Sequence, residues 1–350
     1  MEKTLFVPGR VCLFGEHSDW AGGYGSPENR IPPGYTLLTG TNQGISARIS
    51  PEKESFSIES TLPDGTKKGP EIIGLSEQDL RRAAQRAGFF NYAAGVAYYM
   101  VQHFHTGGIR MDCRMDLPLR KGLSSSAAIC VLTARAFNQL YDLGLSLRDE
   151  MEYAYMGEIL TGSQCGRMDQ GCAFGQSPIL MTFNGNEVTV KKLKISHLFY
   201  LIIADLGGKK DTRKILSGLN AAFLSKDAVG EGVREYLGTV NKHIVERAVS
   251  ALEAGDPEKL GLLMQEAQNR FDTYCLPACS SELTAPRLHN ILGEPDLRPF
   301  IWGGKGVGSQ GDGTVQLLAR GKEERLEAVD ILQRTYKLSC YRLDIRPTSV

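Results

Sequence analysis

The segment from Ile109 to Leu140 leaves a chain few ways to fold. Ile109, Met111, Cys113, Met115 and Leu117 alternate with other residues at the period of a half-buried strand, and Pro118 ends the run. Gly122, Leu123, Ser124, Ser125 and Ser126 follow, and from Ala127 the apolar period lengthens, so that Ile129, Leu132, Ala136 and Leu140 share one helical face. A strand, a loop of small residues and a helix in that order make a phosphate cradle. Backbone N–H groups converge where the helix opens, and its dipole favours an anion. The loop does not match the G-x-x-x-x-G-K-[ST] phosphate loop, and serines before a helix are also ordinary caps. By itself it is a candidate nucleotide site and no more.

Three further segments carry chemistry. In VPGRVCLFGEHSDWAGGY a strand from Leu5 to Phe14 must break at Gly15, so that Glu16, His17 and Asp19 project from its end. So many hydrogen-bonding groups on one tight turn suit a hydroxyl-rich ligand better than a core. In GEILTGSQCGRMDQGCAFG, Glu158 lies on a helix and Asp169 in a small-residue turn eleven residues later. Ser146 and Asp149 have the capping-box spacing, which predicts that this helix begins at Ser146 and runs to about Leu160. The two carboxylates can divide magnesium binding from activation of a substrate hydroxyl. Last, WGGKGVGSQGDGTVQ has six glycines between Gly303 and Gly313, more than a hairpin needs. Close backbone approach to a ligand or to the phosphate loop would explain them, a surface loop being the plain alternative.

Around these segments the chain reads as α+β. FNYAAGVAYYMVQHF has helical spacing, as do Val233 to Ala254 and Pro257 to Phe271, the latter behind an Asp256 cap and a first-turn proline. LFYLIIADL, GTVQLLA and CYRLDI read as strands, with a charged helix from Glu323 to Gln333 between the last two. The expected division is 1–190 and 191–350. A balance of 40 basic and 40 acidic residues gives no net field to attract nucleic acid or an anionic membrane, and no apolar run reaches the ~20 residues of a span. The partners expected are small molecules. MEKTLFVPGR lacks a signal-peptide core and the eight cysteines are dispersed, so reduced thiols and a cytoplasmic location are expected.

Together the four segments resemble, in order and over nearly the whole chain, the GHMP kinases, a superfamily that includes galactokinase, homoserine kinase, mevalonate kinase and phosphomevalonate kinase. PGRVCLFGEHSDWAGG looks most like the start of galactokinase and related sugar-1-kinases. The resemblance implies a two-domain α+β fold, with a ribosomal protein S5 domain 2-like N-terminal domain and a ferredoxin-like C-terminal domain. It implies ATP and Mg²⁺ as nucleotide and metal. Asp169 matches the catalytic aspartate and Arg10 its neighbour at the reacting hydroxyl. Glu16, His17 and Asp19 match the sugar-contacting groups. Gly122, Leu123, Ser124, Ser125, Ser126 and Ala127 match the nucleotide loop, and Ser126 and Glu158 the magnesium-holding positions. The implied reaction moves the ATP γ-phosphoryl group to a sugar hydroxyl, the anomeric one foremost, with galactose, arabinose, fucose or a uronic acid as candidates.

The chain departs from the galactokinase pattern in three places. YGSPENRIPPGY intervenes between the turn and the next strand; Arg167 stands between Gly166 and Met168; and the late glycines are spaced as G-V-G-S-Q-G-D-G. Arg167 is expected to point outward, and an inward orientation would favour a uronic acid. A mevalonate-type kinase is the competing reading, and a non-catalytic sugar- and ATP-binding regulator on the same scaffold is another.

Overall fold

The computed structural model describes residues 2–25, 31–117 and 122–348. Pro118, expected to end a strand, and residues 26–30 of the insertion lie outside the described residues. In chain order the first elements are β1 (Lys3–Phe14), α1 (Ser18–Gly23), β2 (Gly34–Glu52), β3 (Ser55–Thr61), β4 (Lys67–Gly74), α2 (Glu77–Gln85), α3 (Asn91–Phe104), β5 (Gly108–Met115), α4 (Ser125–Tyr141) and α5 (Leu147–Leu160). They are followed by β6 (Ile179–Asn184), β7 (Glu187–Lys192), β8 (Phe199–Asp205), α6 (Thr212–Leu224), α7 (Ala228–Glu235), α8 (Asn241–Ala254) and α9 (Pro257–Cys275). The chain closes with α10 (Ser280–Leu283), α11 (Pro286–Gly293), β9 (Ile301–Gly306), β10 (Thr314–Ala319), α12 (Lys322–Arg334) and β11 (Ser339–Ile345).

Two compact units form, and neither is continuous in sequence. Residues 1–10 and 40–176 make the first, residues 11–39 and 177–350 the second. The first carries the strand order β4, β3, β5, β2, with β3 parallel to β5 and the other neighbours antiparallel. Along β5, Ile109, Met111, Cys113 and Met115 are buried and Arg110 and Arg114 exposed, as the alternation requires. Helices α3, α4 and α5 pack on one another. Gly95 and Gly157 face each other across the α3–α5 contact, where a Cβ on Gly157 would stand 2.5 Å from the Val96 nitrogen. Glycine therefore lets these helices approach backbone to backbone. The Ser146–Asp149 capping box starts α5 where the sequence predicts.

In the second unit β2 pairs through Gly34–Leu38 with β6, which forms a hairpin with β7. A separate antiparallel sheet has the order β11, β8, β10, β9. Counting from β8, that order is fourth, first, third, second, the ferredoxin-like arrangement. Ile202, Leu317, Leu288, Ala328 and Leu332 belong to one buried cluster, while Leu219, Phe223, Leu237 and Phe271 belong to another with Ala21 of α1. The helical pattern from Val233 to Ala254 is interrupted: a π turn over Tyr236–Val240 separates α7 from α8. The wider turn brings Asn241 to the start of α8, where its Nδ2 bonds Ser18 Oγ at 3.0 Å and the Tyr35 carbonyl at 2.9 Å.

Candidate active site

The first unit gathers Arg10, the nucleotide-loop residues, Glu158 and Asp169. Arg10, buried on β1, donates through Nη2 to Asp169 and through Nη1 to the Gly122 carbonyl at 3.2 Å. Its backbone N–H bonds the Leu123 carbonyl at 3.1 Å. The loop reaches β1 because Gly9 has no side chain: a Cβ there would lie 2.7 Å from the Leu123 carbonyl oxygen. Gly122 and Ser124 adopt left-handed φ values of 73° and 54°, a reversal that opens α4 at Ser125. Among the described residues no side-chain hydrogen bond caps the start of this seventeen-residue helix, and no acidic residue occupies its first turn. Ser124 Oγ is buried without a hydrogen-bond partner among the described residues. A helix start thus left open suits an anion.

Glu158 is buried on α5, accepting a hydrogen bond from Gln170 at 2.8 Å and sharing one with Ser126. Burial pushes its carboxyl up to about 7, with nearby Asp169 adding to the rise and Ser126, Gln170 and Cys165 opposing it. A cation beside the pair would favour the ionised form. Among the described residues no group of three or more His, Cys, Asp or Glu side chains converges to hold a metal. One carboxylate and one hydroxyl, both hard oxygen donors, fit magnesium, which keeps several waters and takes phosphate oxygens as further ligands.

In the second unit Gly15, at φ 96°, turns the chain over β2, where a Cβ would strike the Tyr35 carbonyl. Glu16, His17 and Asp19 follow and all three are buried. His17 sits at φ 68° with its ring stacked on Phe271, the centroids 6.1 Å apart. Trp20 Nε1 donates to His17 Nδ1 at 3.2 Å, and an indole N–H can only donate, so the neutral ring carries its proton on Nε2. Burial lowers the imidazole to about 4, with a smaller push from Lys210 and Lys305 and the Ser309 backbone opposing. His17 is therefore neutral near pH 7. Ser18 Oγ accepts from the Tyr35 N–H at 2.8 Å and donates to the Leu237 carbonyl at 3.3 Å, fixing the start of α1.

Glu16 forms an ion pair with Lys305 of β9, a residue that no sequence motif marks. Gly303, Gly304 and Gly306 lie within β9, where a Cβ on Gly303 would strike the Gly261 carbonyl of α9 and one on Gly304 would lie 2.7 Å from the Gln316 carbonyl of β10. Gly303 thus admits α9 and Gly304 admits the neighbouring strand. Only Gly308 and Gly311, at φ 64° and 71°, turn the connection to β10. A lone lysine in a strand of glycines is the available signal, but its partner lies 289 positions away. Arg167 pairs with Glu152 at 3.2 Å and stacks over Tyr155 at 4.7 Å, so that its charge is met on α5.

Known proteins share both sequence and fold with this chain. Residues 91–176 match the model of the GHMP kinases N terminal domain. A galactokinase of Glaesserella parasuis is 25% identical over 330 residues, spanning 83% of this chain and 78% of that protein. Among solved structures, Lactococcus lactis galactokinase complexed with galactose superposes with a TM-score of 0.70 at 18% identity, covering 100% of this chain and 95% of the other. Methanococcus jannaschii mevalonate kinase superposes with a TM-score of 0.74, also at 18% identity, over 100% and 99%. The fold is the GHMP kinase fold, and galactokinases are among the proteins whose sequences resemble this one.

Proposed function

We propose that this protein of GHMP kinase fold is a cytoplasmic, ATP-dependent kinase that transfers the γ-phosphoryl group to a sugar hydroxyl, the anomeric one foremost. The observation that carries the reading is the double engagement of Arg10: one guanidinium binds both the Asp169 carboxylate and the carbonyl of Gly122 in the nucleotide loop. A residue so placed couples the position of a phosphate cradle to that of a catalytic carboxylate. The galactokinase relatives support a sugar as acceptor. Structural likeness does not choose among acceptors, because galactokinase and mevalonate kinase structures superpose about equally well.

Transfer through a loose transition state leaves the protein positioning and charge neutralisation to supply. Arg10 offsets negative charge on the transferring group and holds Asp169 in one orientation. Asp169 orients the acceptor hydroxyl and takes its proton late, since an aspartate is a weak base. The N–H groups at the start of α4, with Gly122 to Ala127, cradle the nucleotide phosphates. Ser126 and Glu158 would hold Mg²⁺, which would supply neutralisation of the charge that develops on the phosphates. Glu16 and Asp19 accept hydrogen bonds from sugar hydroxyls, and neutral His17 supports them. The pairing of Arg167 with Glu152 supports a neutral sugar over a uronic acid.

The test is ADP release by the purified protein with Mg²⁺ and ATP across galactose, arabinose, fucose, glucuronate, galacturonate, inositols and mevalonate. Turnover of a neutral sugar is expected. Turnover of mevalonate alone would move the protein to that kinase type, and ATP binding without any turnover would favour a regulator.

A further inference from the structure

We propose that Lys305 is the positioning residue that sets the specificity of the ligand-reading turn, by holding the Glu16 carboxylate in one orientation. The proposal rests on the sugar-kinase reading above and adds to it the determinant of hydroxyl selection.

Lys305 is 1% exposed, in the middle of β9, and its ammonium donates to the Glu16 carboxylate and, at 2.9 Å, to the Gly306 carbonyl. Burying such a pair brings little net stability, because desolvation of both charges offsets their attraction, and an apolar pair of similar volume would serve the fold as well. What the pair does provide is a fixed orientation, because the lysine holds one oxygen of the carboxylate. With one oxygen turned to Lys305, the remaining lone pairs select O–H donors from one direction.

The lysine is itself braced. The Gly306 N–H donates to Gln268 Oε1 at 2.8 Å, and Gln268 Nε2 donates to Asp272 Oδ1 at 2.9 Å. Gln268 lies on α9 three residues before Phe271, the ring on which His17 stacks. Residues three apart share a helix face. One turn of α9 thus supports both successive residues of the turn, Glu16 through Lys305 and His17 through Phe271. The tight seat of Gly303 against Gly261 leaves β9 no room to drift from that helix.

The experiment takes the sugar of the panel above with the highest kcat/KM and measures it against its monodeoxy derivatives. A site built to bond a hydroxyl rejects the analogue lacking it strongly, so one position should be discriminated by the wild type by about 100-fold or more. In Lys305→Met that ratio is expected to fall at least about tenfold at the position Glu16 reads, with the other positions and the KM for ATP little changed. Discrimination ratios and KM do not depend on the fraction of folded enzyme. An unchanged ratio with a lowered Tm would overturn the proposal and leave Lys305 a structural counter-ion. If Lys305→Met does not fold, the pair Glu16→Gln and Glu16→Gln/Lys305→Met, which leaves no buried charge unpaired, replaces it. The double variant should discriminate no worse than Glu16→Gln alone, and a further loss would show that Lys305 acts by another route. Absence of turnover by the wild type sinks the kinase reading instead, and the same ratios measured as calorimetric sugar affinities then decide the role of Lys305.

Discussion

Asp169 in the first unit keeps 21% of its side chain exposed and stands near a helix start with no side-chain cap, while in the second unit Glu16, His17, Asp19 and Lys305 are all 5% exposed or less. The first arrangement leaves hydrogen-bonding capacity open for a ligand that supplies its own charge. The second is built as a small core, its polar atoms oriented by rings and backbone before any ligand arrives. A transferring phosphoryl group needs charge neutralised as it develops, whereas selecting among neutral polyols needs acceptors that do not move. On the proposed reading, the first unit serves the former need and the second unit the latter.

Asp169→Asn should break the comparison most severely on the catalytic side. We expect kcat to fall by about 10³-fold with ATP affinity little changed, measured by ADP release and by calorimetry. A variant retaining most of its kcat would remove Asp169 from the reaction. The buried turn should instead respond through stability. His17 titrates near 6.5 in the unfolded chain and near 4 in the fold, so the unfolded chain binds more protons between those values. Stability from this group is complete above about pH 6.5 and is lost as pH falls toward 4, up to the order of 3 kcal/mol. Thermal melts from pH 8 to 4 should show that slope, and His17→Gln should flatten it even if its overall Tm is lower.

Smaller effects sharpen the contrast. Glu158→Gln should raise the Mg²⁺ concentration for half-maximal activity on the order of 10- to 100-fold and leave acceptor KM near the wild-type value. A shift in acceptor KM alone would count against a metal role. Gly157→Ala should cost about 1–3 kcal/mol, because its methyl meets the Val96 backbone and α5 must shift. The resulting displacement of Glu158 should show as a modestly higher Mg²⁺ requirement, while acid stability through His17 stays unchanged.

Much of this architecture is legible in the residue order alone. The alternation of β5, the capped start of α5 and the Asp256 cap of α9 depend on residues within a turn or two of one another, so their pattern is written locally. The same holds for the reversal at Gly122 and the open start of α4. The interrupted helix before Asn241 is not legible, because a π turn has no period distinct enough to separate it from an α-helix. Nor is the close packing of the glycines in β9, where Gly303 meets α9 and Gly304 meets β10.

The linear chain by itself determined the chemical inventory and its local geometry: a strand broken at Gly15, a small-residue loop opening a helix, and carboxylates on a helix and a turn. Those follow from steric limits on φ and from side-chain periodicity, which act over a few residues. Tertiary structure alone decided that Lys305 meets Glu16 and that Asn241 meets Ser18, across 289 and 223 positions. Burial makes such partners energetically necessary, since an unpaired charge inside a fold is costly, yet it leaves no sequence pattern that names the partner.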